Sequence, residues 1–443
     1  MMTPSRRALL AAAFAPASPL AADPDRPQYH FLPPANWMND PNAPIFHANQ
    51  YHLYYQHNPK AAKWDTMHWG HAVSPDLLHW QHRPIALAPT PGGPDKDGCF
   101  TGCMVVDRGT PTIVYTGVNP QVQCVATSAD LETWTKNPRN PVLAGPPPGV
   151  DSPGFRDPHV WRDGDSWLML VGAGFRNKGG TALLYESKNL IDWTYLYPLL
   201  TGAIDPKAKG GDVARGEMWE CPDFFPVGNQ WLLHISTENK VRYWLGSWKN
   251  RQFTPRTQGT LVHGAGYAPK SSNASGNRRI IWAWLREQRS QEAQLKAGWS
   301  GVMSLAAVPS LAKDGTLLLD PAVEYQRLRG RRQTEAPPSD CCEIQLSLSG
   351  KEPFSLSRGG HELLGFDPDS RTLSAGRSEA PLPPGPVDLR IFLDGSVIEI
   401  FANRRTWLTG RVYGPAAGIS MSGKASHLEA WPLEPVSKDR LTS

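Results

Sequence analysis

The heptapeptide SPDLLHW, residues 74–80, recurs in modified form further along the chain. SADLETW occupies residues 128–134, SKNLIDW occupies residues 187–193, and a degenerate copy, SWKNRQF, begins at Ser247. Each of the first three copies follows a strand-like run. The Ser and Asp or Asn side chains are suited to capping a tight turn, after which Leu and Trp would pack into the next sheet. The spacing predicts a repeated structural unit of roughly 55–60 residues.

A second pattern precedes each heptapeptide and completes the repeated unit. In it a proline is followed by a short apolar strand, a turn, and a second strand that contains an aromatic residue. Three copies carry an acidic residue: NDPNAPIFHANQYHLYYQ from Asn39, RDPHVWRDGDSWLMLVG from Arg156 and ECPDFFPVGNQWLLHIS from Glu220. FTGCMVVDRGTPTIVYTG from Phe100 has the same form without the acid, and YAPKSSNASGNRRIIWAWL from Tyr267 is a fifth copy. Units of this length fit the four-stranded blades of a five-bladed β-propeller. The regular spacing argues against the alternative, one large irregular β-sandwich.

The character of the sequence changes from about residue 325. CEIQLSLSG, PFSLSRG and VDLRIFLDGSVIEIFAN alternate polar and apolar residues, and Asp394-Gly395 lies between two such runs as a hairpin signal. This region predicts an antiparallel β-sandwich. We therefore expect an all-β protein with an export signal over residues 1–22, a five-bladed propeller over residues 27–315 and a β-sandwich over residues 325–443.

The bulk composition narrows the class of protein. Of 443 residues only 19% are charged, and the formal net charge is +4, which argues against an electrostatic nucleic-acid binder. Seventeen Trp, 43 Pro and 40 Gly suit short strands and many turns. The six cysteines show no zinc-ligand spacing, so we predict no metal site and no cofactor, and a disulfide cannot be assigned.

The first residues resemble an export signal. Arg6 and Arg7 precede a short apolar stretch, residues 8–17, and small residues follow. SRRALL resembles a twin-arginine signal, with a general secretory signal as the alternative. About ten apolar residues cannot span a bilayer, where roughly 20 are needed. We expect a soluble protein that is exported to the periplasm or the medium, with no membrane span.

Asp40, Asp157 and Glu220 each stand at the start of the first strand of a different predicted blade. First strands line the central channel of a propeller, so these carboxylates are expected to meet near one end of it. Carboxylates packed together repel one another and shift each other's pKa, which is a cost that catalysis can use. Two carboxylates about 5–5.5 Å apart support retaining hydrolysis of a glycosidic bond. Each acid taken singly would more readily be a turn cap. Five aromatic residues are candidates for flat apolar walls against a sugar: Trp37, Trp64, Phe100, Trp219 and Trp299.

These residues also carry a family resemblance. WMNDPN, FRDP and WECPD, in this order, resemble the three acidic motifs of glycoside hydrolase family 32, the invertases and fructan hydrolases such as levanase and inulinase. YYQHNP, FTG, GWSGVMSL and the C-terminal LRIFLDGSVIEIFAN resemble further motifs of that family. The resemblance implies a five-bladed propeller followed by a sandwich, and retaining hydrolysis of β-fructofuranosides.

The resemblance also implies a role for each matching residue. Asp40 would be the nucleophile, Glu220 the general acid/base, and Asp157 the stabiliser of the transition state through the hydroxyls of the fructose ring. The implied substrate-binding residues are Trp37, Asn39, Gln56, Trp64, Phe100, Thr101, Arg156 and Trp299. Three departures are visible: Ala43 stands where many members have glycine, Thr101 replaces the usual serine, and SLAAVPSL replaces a Ser-Leu-Pro-Arg stretch.

The leading hypothesis is an exported retaining β-fructofuranosidase that acts on the terminal fructosyl unit of sucrose, levan or inulin through a covalent fructosyl-enzyme. The alternatives are a fructosyltransferase, another furanoside-active propeller such as an arabinanase, and a non-catalytic sugar-binding propeller. The joint presence of Asp40 and Glu220 argues against the last. The export signal argues against a phosphorylated substrate such as sucrose 6-phosphate. The sequence leaves open the preferred substrate, exo or endo action, the balance of hydrolysis and transfer, and the oligomeric state.

Overall fold

The structure is a computed structural model that describes residues 23–335, 339–415 and 417–436. The predicted export signal, residues 1–22, lies outside the described residues. Among the described residues there are one α-helix, α1 (Gln291–Ala297), and two 3₁₀ segments, Ser275–Asn277 and Val323–Leu328; the other elements are strands. The expectation of an all-β protein is confirmed.

Five antiparallel sheets follow one another along residues 36–321, and each pairs its strands in chain order. The first contains β1 (Asn36–His47), β2 (Gln50–Asn58), β3 (His68–Ser74) and β4 (Gln81–Leu87). The second contains β5 (Cys99–Asp107), β6 (Thr110–Gly117), β7 (Val122–Thr127) and β8 (Thr135–Lys136). The third contains β9 (Arg156–Asp163), β10 (Ser166–Phe175), β11 (Gly179–Ser187) and β12 (Thr194–Thr201).

The fourth sheet contains β13 (Glu220–Val227), β14 (Gln230–Thr237), β15 (Lys240–Lys249) and β16 (Gln252–Gly264). The fifth begins with β17 (Gly266–Ala274) and β18 (Arg278–Leu285); β19 (Trp299–Ser300) and β20 (Val302–Met303) follow α1, and β21 (Ala307–Leu311) and β22 (Leu317–Pro321) complete it. β20 pairs with β18, whereas β19 crosses to pair in parallel with β1 of the first sheet.

The first strands of the five sheets lie side by side in chain order. β1 contacts β5, β5 contacts β9, β9 contacts β13, and β13 contacts β17, which in turn contacts β1. These five strands therefore enclose a common axis, and a side chain that projects from any of them towards that axis can meet side chains from the other four.

The recurring heptapeptides form the same turn between the third and fourth strands of the first three sheets. Leu77, Leu131 and Leu190 all have left-handed backbone angles, with φ of 68°, 64° and 64°. The preceding Ser and Asp or Asn side chains accept hydrogen bonds from backbone N–H groups of the turn. All three leucines are buried. The turn predicted from the sequence repeat is confirmed.

Two further sheets form the C-terminal part of the chain, and they pack over a shared apolar core. One contains β23 (Cys341–Leu348), β28 (Val387–Asp394), β29 (Val397–Ala402), β30 (Thr406–Arg411) and β32 (His427–Pro432); the other contains β24 (Phe354–Arg358), β25 (His361–Asp367), β26 (Thr372–Ala375), β27 (Ser378–Pro381) and β31 (Ile419–Ser422). Asp394 and Val397 pair across the predicted hairpin.

The C-terminal sheets are joined to the rest of the chain both by strand pairing and through the segment before β1. β16 pairs in parallel with β30, so the fourth sheet continues into a C-terminal sheet. The buried carboxylate of Asp394 accepts backbone N–H bonds from Gln28, Tyr29 and His30 at 2.6–2.8 Å, which fixes the segment before β1. The His30 ring also contacts Asp394 at 2.8 Å and Glu399 at 2.9 Å.

Three further features of the described residues concern the cysteines, clusters of possible metal ligands and membrane-spanning helices. All six cysteines are buried there, and no disulfide joins any of them. The described part of the chain holds no cluster of His, Cys, Asp and Glu side chains with the arrangement of a metal site. None of its helices combines the length and the apolar character needed to cross a membrane.

Candidate active site

Each of the five inner strands carries one extra residue near its start, at a register shift against the second strand of its sheet. In four of the strands the extra residue precedes a proline: Asp40-Pro41, Asp157-Pro158, Cys221-Pro222 and Ala268-Pro269. Proline lacks the N–H that a regular ladder would need, so it fits such a bulge. A bulge places two consecutive residues opposite a single residue of the partner strand and redirects their side chains.

The backbone at three of these bulges is left-handed. Asp157 has a φ of 66°, Cys221 of 49° and Ala268 of 49°. Residues with a Cβ seldom adopt positive φ, and the conformation costs of order 1–3 kcal/mol. Three inner strands therefore have the same strained backbone conformation at the same level of the axis. At this level the direction of the side chains is maintained at the expense of local stability.

A cleft of about 480 Å³ opens at the level of the bulges. Its lining residues are Asn39, Asp40, Gln56, Trp64, Phe100, Thr101, Gln121, Arg156, Asp157, Glu220, Cys221, Tyr267 and Trp284. The three predicted acids all belong to this cleft. So do six of the eight predicted binding residues, and the exceptions are Trp37 and Trp299.

Asp40 is fixed by two chains of hydrogen bonds. The Thr101 hydroxyl donates to Oδ2 at 2.6 Å, and Gln56 donates to that hydroxyl at 2.7 Å. The Asn39 amide donates to Oδ1 at 3.1 Å, and the Trp37 indole N–H donates to Asn39 at 2.7 Å. Burial raises the pKa of Asp40 to about 6 and the charge of Asp157 adds to that rise, whereas the hydrogen bonds from Thr101 and Asn39 lower the pKa.

Asp157 lies at the floor of the cleft and is almost fully buried. Its Oδ2 accepts the backbone N–H of Cys221 at 2.9 Å, and the Cys221 sulfur lies 3.4 Å from it. The same sulfur lies 3.5 Å from Oδ2 of Asp40, so one thiol touches both carboxylates. Burial raises the pKa of Asp157, and the charges of Arg156 and Lys270 act against that rise.

Glu220 is held at both carboxylate oxygens. Arg156 donates to Oε1 from Nη2 at 2.8 Å and from Nε at 3.2 Å, and the Tyr267 hydroxyl donates to Oε2 at 2.7 Å. The side chain of Glu220 is 22% exposed, more than that of Asp157. Glu220 is therefore a positioned carboxylate on the open side of the cleft, where solvent can reach it.

Most of the sequence matches one known family. Residues 30–321 match the N-terminal domain of the glycosyl hydrolases of family 32, and residues 321–432 match the C-terminal domain of the same family. The chain belongs to glycosyl hydrolase family 32. It is a glycoside hydrolase, and the sequence prediction of a propeller followed by a sandwich is confirmed.

Individual relatives of this glycoside hydrolase cover most of the chain. It is 35% identical to a sucrose-6-phosphate hydrolase of Escherichia coli, over 90% of this chain and 92% of the relative. It is 31% identical to a levanase of Bacillus subtilis, over 85% of this chain and 64% of the relative. Its structure is similar to that of fructan 1-exohydrolase IIa from Cichorium intybus, with a TM-score of 0.79, 26% identity, and coverage of 93% of this chain and 98% of the other.

Two predicted binding residues lie beside the cleft rather than in it. Trp37 is half-buried and packs against the Trp284 ring, with centroids 5.8 Å apart. Its indole N–H donates to the Asn39 side chain, so Trp37 orients Asn39. Trp299 is fully buried; its indole N–H donates to Asp23 at 2.7 Å, and the Arg289 guanidinium lies over its ring. The structure gives Trp299 a place in the core of the enzyme, so it offers no surface to a sugar.

Trp219, also considered as an apolar wall, is buried in the packing between the third and fourth sheets. Its indole covers Gly180, where a Cβ would lie 2.0 Å from the ring carbon Cδ1, so this position requires glycine. It packs against Trp244 with ring centroids 5.2 Å apart. Trp64 and Phe100 do line the cleft, and the 57% exposed Trp64 ring meets Phe100 edge-on.

The sequence analysis missed four residues that line the cleft: Gln121, Cys221, Tyr267 and Trp284. Tyr267 and Trp284 both come from the fifth sheet, which carries no acid. A signal for Tyr267 existed, because it stands two residues before Pro269 as Glu220 stands two residues before Pro222. Trp284 had no such signal, since its position depends on the pairing of β18 with β17.

A second pocket, of about 470 Å³, adjoins the cleft beyond Glu220. It shares Arg156, Glu220, Tyr267 and Trp284 with the cleft and adds Pro153, residues 211–214, Met218, Asn239 and Arg286. The Arg286 guanidinium lies 4.8 Å from the centre of the Tyr267 ring and donates to the backbone carbonyls of Asn239, Gly264 and Ala265. We call this space the outer pocket.

Proposed function

We propose that the protein is an exported retaining β-fructofuranosidase that removes terminal β-D-fructofuranosyl residues from sucrose and fructans. The observation that carries the proposal is the meeting of Asp40, Asp157 and Glu220 in one cleft, with Asp40 and Glu220 each fixed by hydrogen bonds at both oxygens. The names of the family relatives, a sucrose-6-phosphate hydrolase, a levanase and a fructan exohydrolase, support the substrate class.

In the proposed reaction Asp40 is the nucleophile. Its carboxylate attacks the anomeric carbon of the bound fructosyl unit and forms a covalent ester, while the bond to the leaving oxygen breaks. Thr101 and Asn39 hold Asp40 in one orientation, which reduces the entropy cost of attack. Because protonated Asp40 cannot attack, the reaction needs the ionised form.

Glu220 is the proposed general acid/base. It gives a proton to the leaving oxygen in the first step and takes one from water in the second, and the ester bond to Asp40 then breaks with release of fructose. Arg156 and Tyr267 position it. Asp157 is proposed to hold ring hydroxyls of the fructosyl unit and so to favour the transition state.

The proposed binding mode places one fructosyl unit in the cleft. Trp64 and Phe100 offer apolar faces to it, and Asn39, Gln56, Thr101 and Arg156 offer polar groups. Trp37 acts through Asn39 in this proposal. The leaving glucosyl or fructosyl unit would occupy the outer pocket, because that pocket continues the cleft past Glu220.

The proposed domain division has five blades followed by the sandwich. It rests on the five consecutive sheets whose first strands contact one another around an axis. We extend the first domain from residue 315 to residue 321, since β22 pairs with β21 in the fifth sheet, and begin the sandwich domain near residue 325. Export is proposed from the sequence of residues 1–22, and N-terminal sequencing of protein recovered outside the cytoplasm tests it.

The function is tested by product analysis in water that contains methanol. Sucrose, sucrose 6-phosphate, levan and arabinan are each incubated with the protein, and products are followed by NMR. Free fructose together with methyl β-fructofuranoside supports a retaining fructosidase, and relative rates give the preferred substrate. Inverted methyl fructoside would refute retention, and arabinose release would move the protein to another furanoside class. Fructose oligomers as the main product would favour the transferase alternative.

A variant separates catalysis from binding. Glu220→Gln removes the proton donor and should lower kcat on sucrose by about 10²–10⁴-fold while sucrose still binds. Glu352→Gln, at an exposed position of the sandwich, is the matched control and should be unchanged. Wild-type turnover by Glu220→Gln would exclude Glu220 as the acid, and sucrose binding without turnover by the wild type would support a binding protein instead.

A further inference from the structure

A second cavity lies on the axis of the propeller, on the far side from the catalytic cleft. It has a volume of about 320 Å³ and is lined by later residues of the same inner strands: residues 43–46 of β1, 102–106 of β5, 159–162 of β9 and 270–273 of β17. The cleft uses the first residues of these strands. On each strand the two linings are centred about four residues apart, roughly 13 Å at about 3.3 Å per residue, and on β5 they meet at Thr101 and Gly102. We call this space the distal cavity.

The lining of the distal cavity is cationic. Lys270, Arg279 and Arg162 contribute to it, and the lining, which lies wholly within the described residues, contains no Asp or Glu. Arg162 is at the exposed rim, whereas Lys270 is fully buried. An enclosed surface with positive charge and no acid attracts anions more strongly than an open one does.

The charge of Lys270 is already offset inside the protein. Its Nζ donates to the carbonyl of Pro222 at 3.0 Å, and its charge acts on the buried carboxylates of Asp223 and Asp157. Asp223 in turn accepts the backbone N–H of Ser271 at 2.6 Å and contacts His159 at 3.1 Å. The positive charge of Lys270 is therefore opposed by buried carboxylates inside the protein.

Asp223 also acts on the charge of Arg279, but no hydrogen bond or ion pair joins the two described side chains. The Arg279 guanidinium lies over the Phe225 ring, 4.7 Å from the centroid, and within the described part of the chain no carboxylate is within ion-pair distance of it. Burial lowers the pKa of Arg279, and the charge of Asp223 opposes that shift without overcoming it. Ser271, which also lines the cavity and is itself 8% exposed, has a buried hydroxyl without a hydrogen-bond partner. A half-buried guanidinium without an ion-pair partner and a buried hydroxyl without a hydrogen-bond partner are both groups that a bound oxyanion would satisfy.

We propose that the distal cavity is a binding site for a phosphate group, with the Arg279 guanidinium as its main donor and the Ser271 hydroxyl as a second. A guanidinium binds a tetrahedral oxyanion through two parallel N–H bonds. Arg162 adds positive charge at the rim. The volume exceeds that of one phosphate, so the site admits either inorganic phosphate or the phosphate of a small sugar monoester, whose carbon skeleton would lie against Ile45 and Met104.

The test measures phosphate binding directly on the whole protein. Inorganic phosphate and a hexose monophosphate are titrated in separate calorimetric experiments at constant ionic strength, so that screening does not change. Saturable binding of at least one of them is expected. Tighter binding of the monophosphate would identify a phosphorylated sugar as the ligand, and equal binding would identify the phosphate group alone. Absence of saturable binding by both would overturn the proposal.

Three variants locate the site. Arg279→Gln should weaken binding by about tenfold or more, because a charge-assisted hydrogen bond is lost, and Arg279→Lys should lie between it and the wild type. Arg377→Gln, at an exposed arginine of the sandwich, should bind as the wild type does. Arg286→Gln tests the outer pocket: weakened binding in this variant with normal binding in Arg279→Gln would refute the assignment.

The thermal unfolding midpoint is measured for every variant, so a misfolded Arg279→Gln protein is recognised. In that case Ser271→Ala gives the decisive comparison, because it removes one hydroxyl and no charge. Weaker phosphate binding by Ser271→Ala, with an unchanged unfolding midpoint, supports the site. Unchanged binding by both Ser271→Ala and Arg279→Lys overturns it. None of these outcomes depends on fructosidase activity, so the proposal is tested separately from the proposed function.

Discussion

Replacing Thr101 by valine should move the acidic limb of the pH–rate profile upward. Valine has the shape of threonine and lacks the hydroxyl that donates to Oδ2 of Asp40 at 2.6 Å. That hydrogen bond favours the ionised carboxylate and lowers its pKa, which burial has raised to about 6. Without the hydroxyl the pKa of Asp40 rises further, so a larger fraction of the enzyme is protonated, and inactive, at any pH near or below that value.

The size of the effect follows from the hydrogen bond. A bond to a charged group is worth about 1.5–3 kcal/mol, and 1.36 kcal/mol corresponds to one pKa unit, so the midpoint should rise by about 1–2 pH units. Each protein's kcat/KM is first divided by its own high-pH plateau. Well below both midpoints, the normalised value for Thr101→Val should be lower than that of the wild type by about tenfold or more. Well above them, the ratio of variant to wild type should be independent of pH.

The assay is kcat/KM for sucrose between pH 4 and about 8.5, because this parameter reports ionisations of the free enzyme. Asp157 lies close enough to Asp40 for their titrations to couple, so the midpoint of the pH–rate profile belongs to the pair. The test is therefore the difference in midpoint between the variant and the wild type. Thr101→Ser is the matched control: it retains a hydroxyl for Asp40 and an acceptor for Gln56. An unmoved midpoint in Thr101→Val, or an equal shift in Thr101→Ser, would refute this account of how Asp40 is kept ionised.

Two predictions concern stability. The buried Glu343 carboxylate accepts hydrogen bonds from Arg329 at 2.8 and 2.6 Å, so Arg329→Ala should lower the free energy of unfolding, measured in urea, by about 2–3 kcal/mol. Arg332 forms an exposed ion pair, so Arg332→Ala should lower it by less than about 1 kcal/mol. Equal losses in the two variants would contradict this prediction. The carboxylate of Asp394 helps to raise the pKa of buried His30 to about 9, against burial. The protonated ring therefore stabilises the fold fully below about pH 6.5, and this contribution should be lost as the pH rises to about 9. Urea titrations across that range should show the decline, and a flat profile would indicate that His30 is neutral in the folded protein.

The sequence predicted the parts of the structure that have a local signature. The heptapeptide turns were visible because their Ser, Asp and Leu positions are fixed by hydrogen bonds within a few residues. The acids were visible because each motif carries a proline at the bulge. Both signals are short-range, so a single sequence contains them.

The parts that the sequence did not predict depend on contacts between distant residues. The motif that contains Trp299 predicts a sugar-binding tryptophan. In the structure β19 pairs in parallel with β1, and the Trp299 ring is buried against Asp23 and Arg289. Trp284 reads as one of several apolar residues in β18, but it reaches the cleft. No spacing within either motif distinguishes the buried indole from the one at the surface.

The bulges also change how the three carboxylates are aligned. Asp40 and Asp157 stand directly before a proline, whereas Glu220 stands two residues before Pro222, so the three acids do not occupy one equivalent position. In a regular strand neighbouring residues face opposite sides, and Glu220 would then point away from the cleft if Asp40 and Asp157 point into it.

The extra residue at each bulge removes that conflict. It lets consecutive pairs line the same cleft, namely Asn39 and Asp40, Phe100 and Thr101, Arg156 and Asp157, and Glu220 and Cys221. Four of the five inner strands therefore place two adjacent side chains in one site, which an alternating strand cannot do, and β17 places only Tyr267 there. Asp40 and its hydrogen-bond donor Asn39 come from neighbouring positions of β1. Glu220 and Cys221, whose thiol touches the other two carboxylates, come from neighbouring positions of β13. Placing so many functional groups in one cleft requires the strained backbone conformation at Asp157 and Cys221. The third and fourth sheets, which pack over a buried core rich in aromatic residues, hold that conformation in place.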